Sequence, residues 1–410
     1  MLRSFFVGAV GLVLAVFPGF ALEFSPLRSP TGPGAQEPVL FAMNDARVAM
    51  SWLEPTATGF SLKMSIGDRD GWGPSRTVHS SNSMFINWAD FPSIAVFEDG
   101  TIAAHWLQDS ANSGYAYDVN IALSHDEGVS WSDPITPHRD GTTGQHGFVT
   151  LLPVGDEMLS LWLDSRAYKK DVLERESDLP NAMQFRATKI ASDGSLSEDV
   201  LLDAQTCTCC QTDAAVTEDG AVIAVYRNNT IDEIRDIAVV RLENDAWSDP
   251  EIVHADGWEI SGCPVNGPAI DTFNKQAAVA WFTAANDDPA VKVALSDDGG
   301  KSFSAPLRID QGDAVGRVDV MMLNEVQAFA TWVEWSDTGE VILSCVFEGE
   351  AKCDAVHPIA ESDGLGSVNF PNMARTRDGV YLAWSQPAPE TSDDPDRDAT
   401  IEIRFAPFEN

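Results

Sequence analysis

Four of the six cysteines in this chain occupy two short segments that could form one chemical site. Cys207, Cys209 and Cys210 lie close together in the chain, and Cys263 follows further along. Thiolates bind soft or borderline metal ions such as copper and zinc, and His146 would add an imidazole ligand. The same thiols could instead form disulfides or a redox-active site. The sequence therefore leaves open a copper or zinc site, a redox thiol site and structural disulfides.

The other two cysteines, Cys345 and Cys353, flank a hairpin turn around Gly349. Opposite residues of two antiparallel strands joined by a short turn lie within disulfide reach. We therefore expect a structural disulfide between these two residues, as is common in proteins exported to an oxidising compartment.

The elements that must position these residues follow from an internal repeat. Small or apolar residues followed by an aromatic residue recur seven times, at Trp52, Trp106, Trp162, Tyr226, Trp281, Trp332 and Trp384. Alternating hydrophobicity and turns containing Gly or Asp indicate about four short strands in each repeat. Four-stranded units repeated radially predict an all-β fold, a β-propeller of seven antiparallel blades.

The two ends of the chain are expected to meet in the last blade. The last repeat stops after its third strand, at residues 400–405, whereas residues 22–24 precede the first repeat and belong to no complete blade. We expect this N-terminal segment to supply the missing outer strand, because closing the ring removes an exposed sheet edge.

Blade topology also predicts which residues meet. The first strand of every blade lines the central channel, and the loops entering these strands form one mouth together with the loops between second and third strands. His146, Cys207–Cys210 and Cys263 fall in such segments. The channel mouth is therefore the expected functional site, with a glycan or another small molecule as its partner.

Two hairpins share the pattern Ser-x-Asp-x-Gly-x-Ser-aromatic, at residues 124–131 and 296–303. Asp126 and Asp298 are expected to accept backbone N–H groups of their own turns, and Gly128 to supply a positive φ. This pattern resembles the Asp-box, or BNR repeat, of the sialidase superfamily. The resemblance implies a sialidase-like propeller and gives six blades as the alternative to the seven counted.

The same resemblance implies candidate catalytic residues for an exo-sialidase type of glycoside hydrolase. Arg166, Arg227 and Arg317 would grip the substrate carboxylate, with Tyr168 and Asp319 beside them as reacting groups. The alternatives are arginines that brace acidic loops, and a propeller that binds a ligand without chemistry and uses its cysteines as disulfides.

The net charge and the N-terminal segment limit which ligands and which cellular locations are expected. Acidic residues outnumber basic ones by 63 to 26, which gives a formal net charge of −37 and excludes nucleic acid as a ligand. Arg3, an apolar run over residues 5–17 and a small-residue exit at Ala21 predict a signal peptide at residues 1–21. We expect the mature chain, residues 22–410, to be one exported propeller domain, periplasmic or extracellular, with no membrane segment after cleavage. The sequence does not specify its oligomeric state.

Overall fold

A computed structural model describes residues 22–110, 116–167, 183–349, 353, 355–362, 366–389, 391–394 and 398–408. Within these residues the strands form seven antiparallel sheets, whose first strands surround a central channel. The predicted seven-bladed β-propeller is confirmed, and the six-bladed alternative is wrong. The predicted signal peptide at residues 1–21 lies outside the described residues. No helix in the described part of the chain is long and apolar enough to cross a bilayer.

The first three blades follow one another in chain order after the short strand β1 (Ser25–Leu27). Blade 1 contains β2 (Gln36–Ala42), β3 (Val48–Pro55), β4 (Phe60–Asp68), β5 (Gly71–Trp72) and β6 (Arg76–Ser81). Blade 2 contains β7 (Ser93–Val96), β8 (Ile102–Asp109) and β9 (Tyr117–Ser124), and a bridge from Ile121 to Ile135 marks its outer edge. Blade 3 contains β10 (His146–Val154), β11 (Glu157–Asp164), β12 (Met183–Ala191) and β13 (Val200–Thr206).

The remaining blades repeat the same meander. Blade 4 contains β14 (Asp213–Val216), β15 (Val222–Arg227), β16 (Ile237–Glu243), β17 (Ala246–Trp247) and β18 (Glu251–His254). Blade 5 contains β19 (Ala269–Phe273), β20 (Gln276–Thr283), a 3₁₀ turn (Ala285–Asp287), β21 (Ala290–Ser296) and β22 (Leu307–Arg308). Blade 6 contains β23 (Ala314–Met322), β24 (Gln327–Trp335), β25 (Glu340–Glu348) and β26 (His357–Glu361). Blade 7 contains β27 (Asn372–Thr376), β28 (Gly379–Gln386) and β29 (Thr400–Pro407), with β1 as its outer strand.

The repeated aromatic residue of a blade is buried against the preceding blade. Trp332 of blade 6 packs in one cluster with Phe282 and Val291 of blade 5, and Trp52 of blade 1 packs with Ile403 of blade 7. Both indole rings are almost completely buried. The repeat therefore builds the hydrophobic core between blades, which is why its period sets the blade count.

The ring closes through an antiparallel pair formed by the two ends of the chain. Strand β1 pairs with β29, with Ser25 opposite Phe405. The predicted closure is confirmed, although the pairing strand begins just after residues 22–24. Phe24 instead packs on Phe329 of blade 6, with ring centroids 5.8 Å apart.

Two local predictions concern hairpins on the side opposite the mouth. Asp298 accepts hydrogen bonds from the backbone N–H groups of Lys301 and Ser302 at 2.9 and 3.0 Å, and Asp126 accepts one from Ser130 at 2.8 Å. The turn roles expected of both aspartates are therefore present. The predicted disulfide between Cys345 and Cys353 is also confirmed.

Candidate functional site

The central channel opens into a cavity of about 430 Å³ lined by the first strands of all seven blades. Side chains of these strands also connect neighbouring blades. Asp213 of blade 4 accepts the N–H of Ile270 in blade 5 at 2.8 Å, and Asp319 of blade 6 accepts the N–H of Met373 in blade 7 at 2.7 Å. The same contact joins Asp271 to Met322 and Asn372 to Leu40. Asp90, in the loop just before β7, accepts the N–H of Phe148 in the same way.

Asp319, the predicted reacting group, is thus part of the contact between blades 6 and 7. Burial, together with the charges of Asp213 and Asp271, raises the pKa of Asp319 well above its ordinary value. The carboxyl group serves as an acceptor for the backbone N–H groups of Met373 and Val320.

The segment Cys207–Cys210 leads from blade 3 into blade 4 and forms a compact group of sulfur atoms. The Sγ atom of Cys207 lies 2.7 Å from that of Cys210 and 3.8 Å from that of Cys209. Cys263, in the loop between blades 4 and 5, lies 3.8 Å from the hydroxyl group of Thr208 and interacts with Cys209. All four cysteines are free thiols. Cys209 contacts Cys207 within its own segment and interacts with Cys263 of the next loop.

The side chain of Arg235 contacts the buried end of this sulfur cluster. Nη1 of Arg235 donates to the Cys207 sulfur at 3.5 Å. Burial by itself raises the pKa of Cys207, but hydrogen bonds from the Cys209 and Cys210 thiols and the Arg235 charge bring that pKa well below its ordinary value. The pKa of Cys263 falls to about 6, chiefly through its hydrogen bond with Cys209. Two of the four sulfurs are therefore prepared to be thiolates.

Arg227, one of the three predicted anion-binding arginines, is a structural link beneath the cysteines. Its guanidinium group is buried and donates to the backbone carbonyls of Asn266 at 2.9 Å, Arg235 at 2.6 Å and Phe282 at 2.7 Å. These contacts join blade 4 to blade 5 and hold the loop that carries Cys263.

The other two predicted arginines form ion pairs inside their own blades. Arg166 donates to Asp164 at 2.6 Å and to Asp199 at 2.9 Å, and Arg317 donates to Glu340 at 2.7 Å. Tyr168 lies outside the described residues. A carboxylate grip by the three arginines therefore stays a prediction, and it would compete with these existing contacts.

His146 belongs to a different group from the one predicted. Its ring is completely buried at the start of β10, with Nδ1 3.3 Å from both the Tyr117 carbonyl and Asp118 Oδ1. Its Nε2 lies 3.5 Å from Asp140 Oδ1 and 3.7 Å from Asp164 Oδ1. The sequence placed His146 with the cysteines because both flank first strands, but the first strand of blade 3 is paired with β11, which ends at a carboxylate.

Sequence reasoning missed the other members of this imidazole–carboxylate group. The ring of His138 stacks on that of His146, and its Nδ1 lies 3.5 Å from Asp140 Oδ1. Asp118 and Asp164 stand near the mouth ends of β9 and β11. The sequence did carry one sign of this group. Charged or titratable residues occur at the mouth ends of three consecutive strands, β9, β10 and β11, and a comparison of these strand ends could have found them.

An aromatic group forms a third feature of the mouth. The indole of Trp88 is 43% exposed and stacks on Phe370 at 5.9 Å, while the Arg317 guanidinium lies 5.3 Å from its ring. Phe91 also packs on Phe370, with ring centroids 5.6 Å apart, and both phenylalanines line the cavity. An exposed indole beside a cavity offers a flat apolar surface to a ligand.

Two buried carboxyl groups between blades 1 and 2 are also perturbed. Burial raises the pKa of Asp90 to about 7, although it accepts hydrogen bonds from Phe148 N–H and the Tyr117 hydroxyl. Burial and the charge of Asp90 raise the pKa of Glu37 to about 8. Both groups hold protons near neutral pH.

Comparison with known proteins establishes the fold. No protein-family model matches the chain, and no curated protein is significantly similar to it. A protein of unknown function from Dyadobacter fermentans is 12% identical, covering 96% of this chain and 100% of its own, with a TM-score of 0.53. The endosialidase of phage phi92 is 10% identical over 97% of this chain and 72% of its own, with a TM-score of 0.52. An α-L-arabinanase from Penicillium chrysogenum is 10% identical over 94% of this chain and 97% of its own, with a TM-score of 0.52. The resemblance to sialidase-type propellers is therefore confirmed at the level of the fold.

Proposed function

We propose that this protein is an exported β-propeller that binds a thiophilic metal ion, copper or zinc, at the channel mouth. The observation that carries the proposal is the convergence of free cysteine sulfurs from two loops: Cys207, Cys209 and Cys210 lie within 4.8 Å of one another, and Cys263 of the next loop interacts with Cys209. Thiolates are the ligands that copper(I) and zinc prefer in proteins.

The state of the cysteines favours metal binding over pairing into disulfides. Cys345 and Cys353 form a disulfide in the same chain, which fits an oxidising compartment. Free thiols as close as those of Cys207 and Cys210 would be oxidised in that compartment unless a ligand occupied their sulfurs. A bound metal ion supplies that protection and keeps the thiolates from exchanging with other thiols.

Charge at the cluster supports the same proposal. Several thiolates in a buried site repel one another, and Arg235 offsets part of that charge from below. A metal cation would offset the rest, so folding of the mouth and metal binding are expected to be coupled. Cys263 lies at the exposed side of the cluster and would close the site from the solvent.

The test is metal analysis of protein exported to an oxidising compartment, with thiols counted by mass spectrometry. Near-stoichiometric copper or zinc with four reduced cysteines is expected, and Cys263→Ser should lose most of the metal. A double Cys345→Ser, Cys353→Ser variant is the matched control and should keep it. Complete oxidation of the four cysteines with no bound metal would overturn the proposal.

A second candidate function, binding of a glycan, is favoured by the aromatic group at the mouth. Trp88 presents an exposed indole face beside Arg317, and sugar rings stack their C–H faces on such surfaces. The phage phi92 endosialidase and the arabinanase show that this fold can serve glycan processing, although fold alone does not imply activity. Hydrolysis of the exo-sialidase type is the finer form of this proposal.

Calorimetric titration with sialosides and arabino-oligosaccharides tests the second candidate. Trp88→Ala should weaken binding at least about tenfold, whereas Val129→Ala, an exposed apolar residue on a hairpin of the opposite side, should not change it. Release of sialic acid from a fluorogenic sialoside, reduced in Arg317→Ala, would support the hydrolase. Absence of binding to every sugar would contradict the second candidate and leave the metal proposal unaffected.

A further inference from the structure

We propose that His146, Asp140 and Asp164 form a second cation site, which takes a divalent ion such as manganese or zinc and is separate from the cysteine cluster. The three side chains come from the loop before blade 3, the start of β10 and the end of β11. Their ligand atoms lie within 4.8 Å of one another. This site goes beyond the thiophilic site because its donors are one imidazole and two carboxylates.

The distances are those of a ligand set rather than of hydrogen bonds. Nε2 of His146 lies 3.5 Å from Asp140 Oδ1 and 3.7 Å from Asp164 Oδ1. Bonds of about 2.1 Å to one ion place neighbouring donor atoms roughly 3.0–3.5 Å apart. His146 Nε2 therefore needs to approach either carboxylate oxygen by only a few tenths of an ångström to share an ion with it.

Two of these donor atoms are buried without a hydrogen-bond partner among the described residues. They are Nε2 of His146, whose side chain is fully buried, and Oδ1 of Asp140, whose side chain is 8% exposed. Buried polar atoms are almost always paired, because each unpaired one loses its hydration without compensation. An ion between these two atoms would satisfy both of them.

The remaining contacts of His146 fix its tautomer in the form that a metal requires. Nδ1 faces two acceptors, the carbonyl of Tyr117 and the carboxylate of Asp118, each at 3.3 Å. A proton on Nδ1 serves these acceptors and leaves the lone pair of Nε2 directed at Asp140 and Asp164. In metal-binding histidines, the N–H of the ring nitrogen that does not bind the metal characteristically donates a hydrogen bond to a carbonyl or carboxylate in this way.

The charge balance points to a divalent cation. Four carboxylates meet here, and two guanidinium groups oppose them. The carboxylates are Asp118, Asp140, Asp164 and Asp199, and the guanidinium groups are Arg166 and Arg186. Apart from the two histidines, this mostly buried group has two negative charges in excess, which one divalent ion would neutralise. The competing arrangement is a protonated His146 that pairs with the carboxylates, and it predicts no metal binding.

Ligand chemistry distinguishes this site from the cysteine cluster. Carboxylates with one imidazole suit manganese, iron(II) and zinc, whereas thiolates select copper(I) and zinc. Manganese(II) is therefore the probe that reports on the carboxylate site with the least interference from the sulfurs.

The experiment titrates metal-free, full-length mature protein with manganese(II) and follows the free ion by electron paramagnetic resonance. One equivalent should bind to the wild type and to Cys263→Ser. Asp140→Asn and Asp164→Asn should each weaken binding by about tenfold or more. Asp310→Asn, which alters an aspartate paired with Arg308 in blade 5, is the matched control and should bind as the wild type does.

A second measurement keeps the test decisive if a variant fails to fold. Long-range proton–nitrogen spectra of the wild type should show His146 with a proton on Nδ1 and an unprotonated Nε2, whose resonance shifts when zinc is added. Two protonated nitrogens at neutral pH, with no change on adding zinc, would overturn the proposal. The proposal would also be overturned if the wild type did not bind manganese, or if Asp140→Asn bound manganese as tightly as the wild type does.

Discussion

The carboxyl group of Asp90 in blade 2 accepts the backbone N–H of Phe148 in blade 3 at 2.6 Å, and this contact depends on the glycine between the two groups. A Cβ atom on Gly147 would lie 2.2 Å from Asp90 Oδ2 and 2.8 Å from the ring of Tyr117. The contact between blades 2 and 3 therefore requires a glycine at position 147, where the first strand of blade 3 begins to line the channel.

Replacement of Gly147 by Ala should destabilise the propeller by about 1–3 kcal/mol, because the added Cβ would clash with Asp90 and Tyr117, which are both buried. Urea unfolding is the measurement. Gly262→Ala is the control, since an added Cβ at that position meets nothing closer than 3.7 Å. Equal midpoints for the two variants would show that the contact with Asp90 is loose.

Asp90→Asn should change how stability depends on pH. The folded-state pKa of Asp90 is raised to about 7 from an ordinary value of 3.8, so the folded protein binds the proton more tightly than the unfolded chain does. Its contribution is fully present below about pH 4 and is lost as the pH rises through 7. Asparagine can still accept the Phe148 N–H but cannot ionise.

The variant should therefore gain stability relative to the wild type between pH 5 and pH 8, by up to about 4 kcal/mol. Denaturant unfolding at the two pH values measures the difference. Asp249→Asn, at an exposed carboxyl group, should leave the pH dependence unchanged. Parallel stability curves for Asp90→Asn and the wild type would contradict the raised pKa.

Deletion of residues 22–28 should lower the melting temperature sharply, because it removes β1 and leaves the edge of β29 unpaired. Calorimetry of the truncated and complete mature chains measures the effect. A synthetic peptide of residues 22–28 should restore part of the lost stability by pairing with β29. Melting within about two degrees of the complete chain would show that ring closure contributes little.

Asp298→Ala should cost about 1–2 kcal/mol, since the carboxylate accepts hydrogen bonds from the backbone of Lys301 and Ser302 and from the Ser302 hydroxyl. Asp297→Ala is a closely matched control, because Asp297 is the exposed neighbour in the same turn. The prediction is contradicted when both variants unfold at the same denaturant concentration.

The blade count, the hairpin turns and one disulfide could be derived from the sequence because each depends on residues close together in the chain. The repeated aromatic that includes Trp332 sets the period of the core, and Asp298 bonds within its own turn. Cys345 and Cys353 are separated by 8 positions within one hairpin. Local backbone preferences and a fixed repeat determine such features without knowledge of the rest of the fold.

Contacts between blades could be predicted from the sequence only in part. Adjacent loops were expected to bring Cys263 close to Cys207 or Cys209, and Cys263 interacts with Cys209 because consecutive blades are neighbours in space. The same reasoning grouped His146 with the cysteines, whereas its Nε2 faces Asp140 and Asp164. Which side of a first strand a ring occupies depends on the path of the preceding loop and on strand register.

Tertiary structure alone decided what the charged side chains do. Arg227 and Arg317 both stood at mouth positions, yet Arg227 donates to three buried carbonyls and Arg317 pairs with Glu340. Asp319 became an acceptor for the next blade. The physical reason is that a long charged side chain reaches whichever unsatisfied partner folding brings near it, and that partner is distant in the sequence.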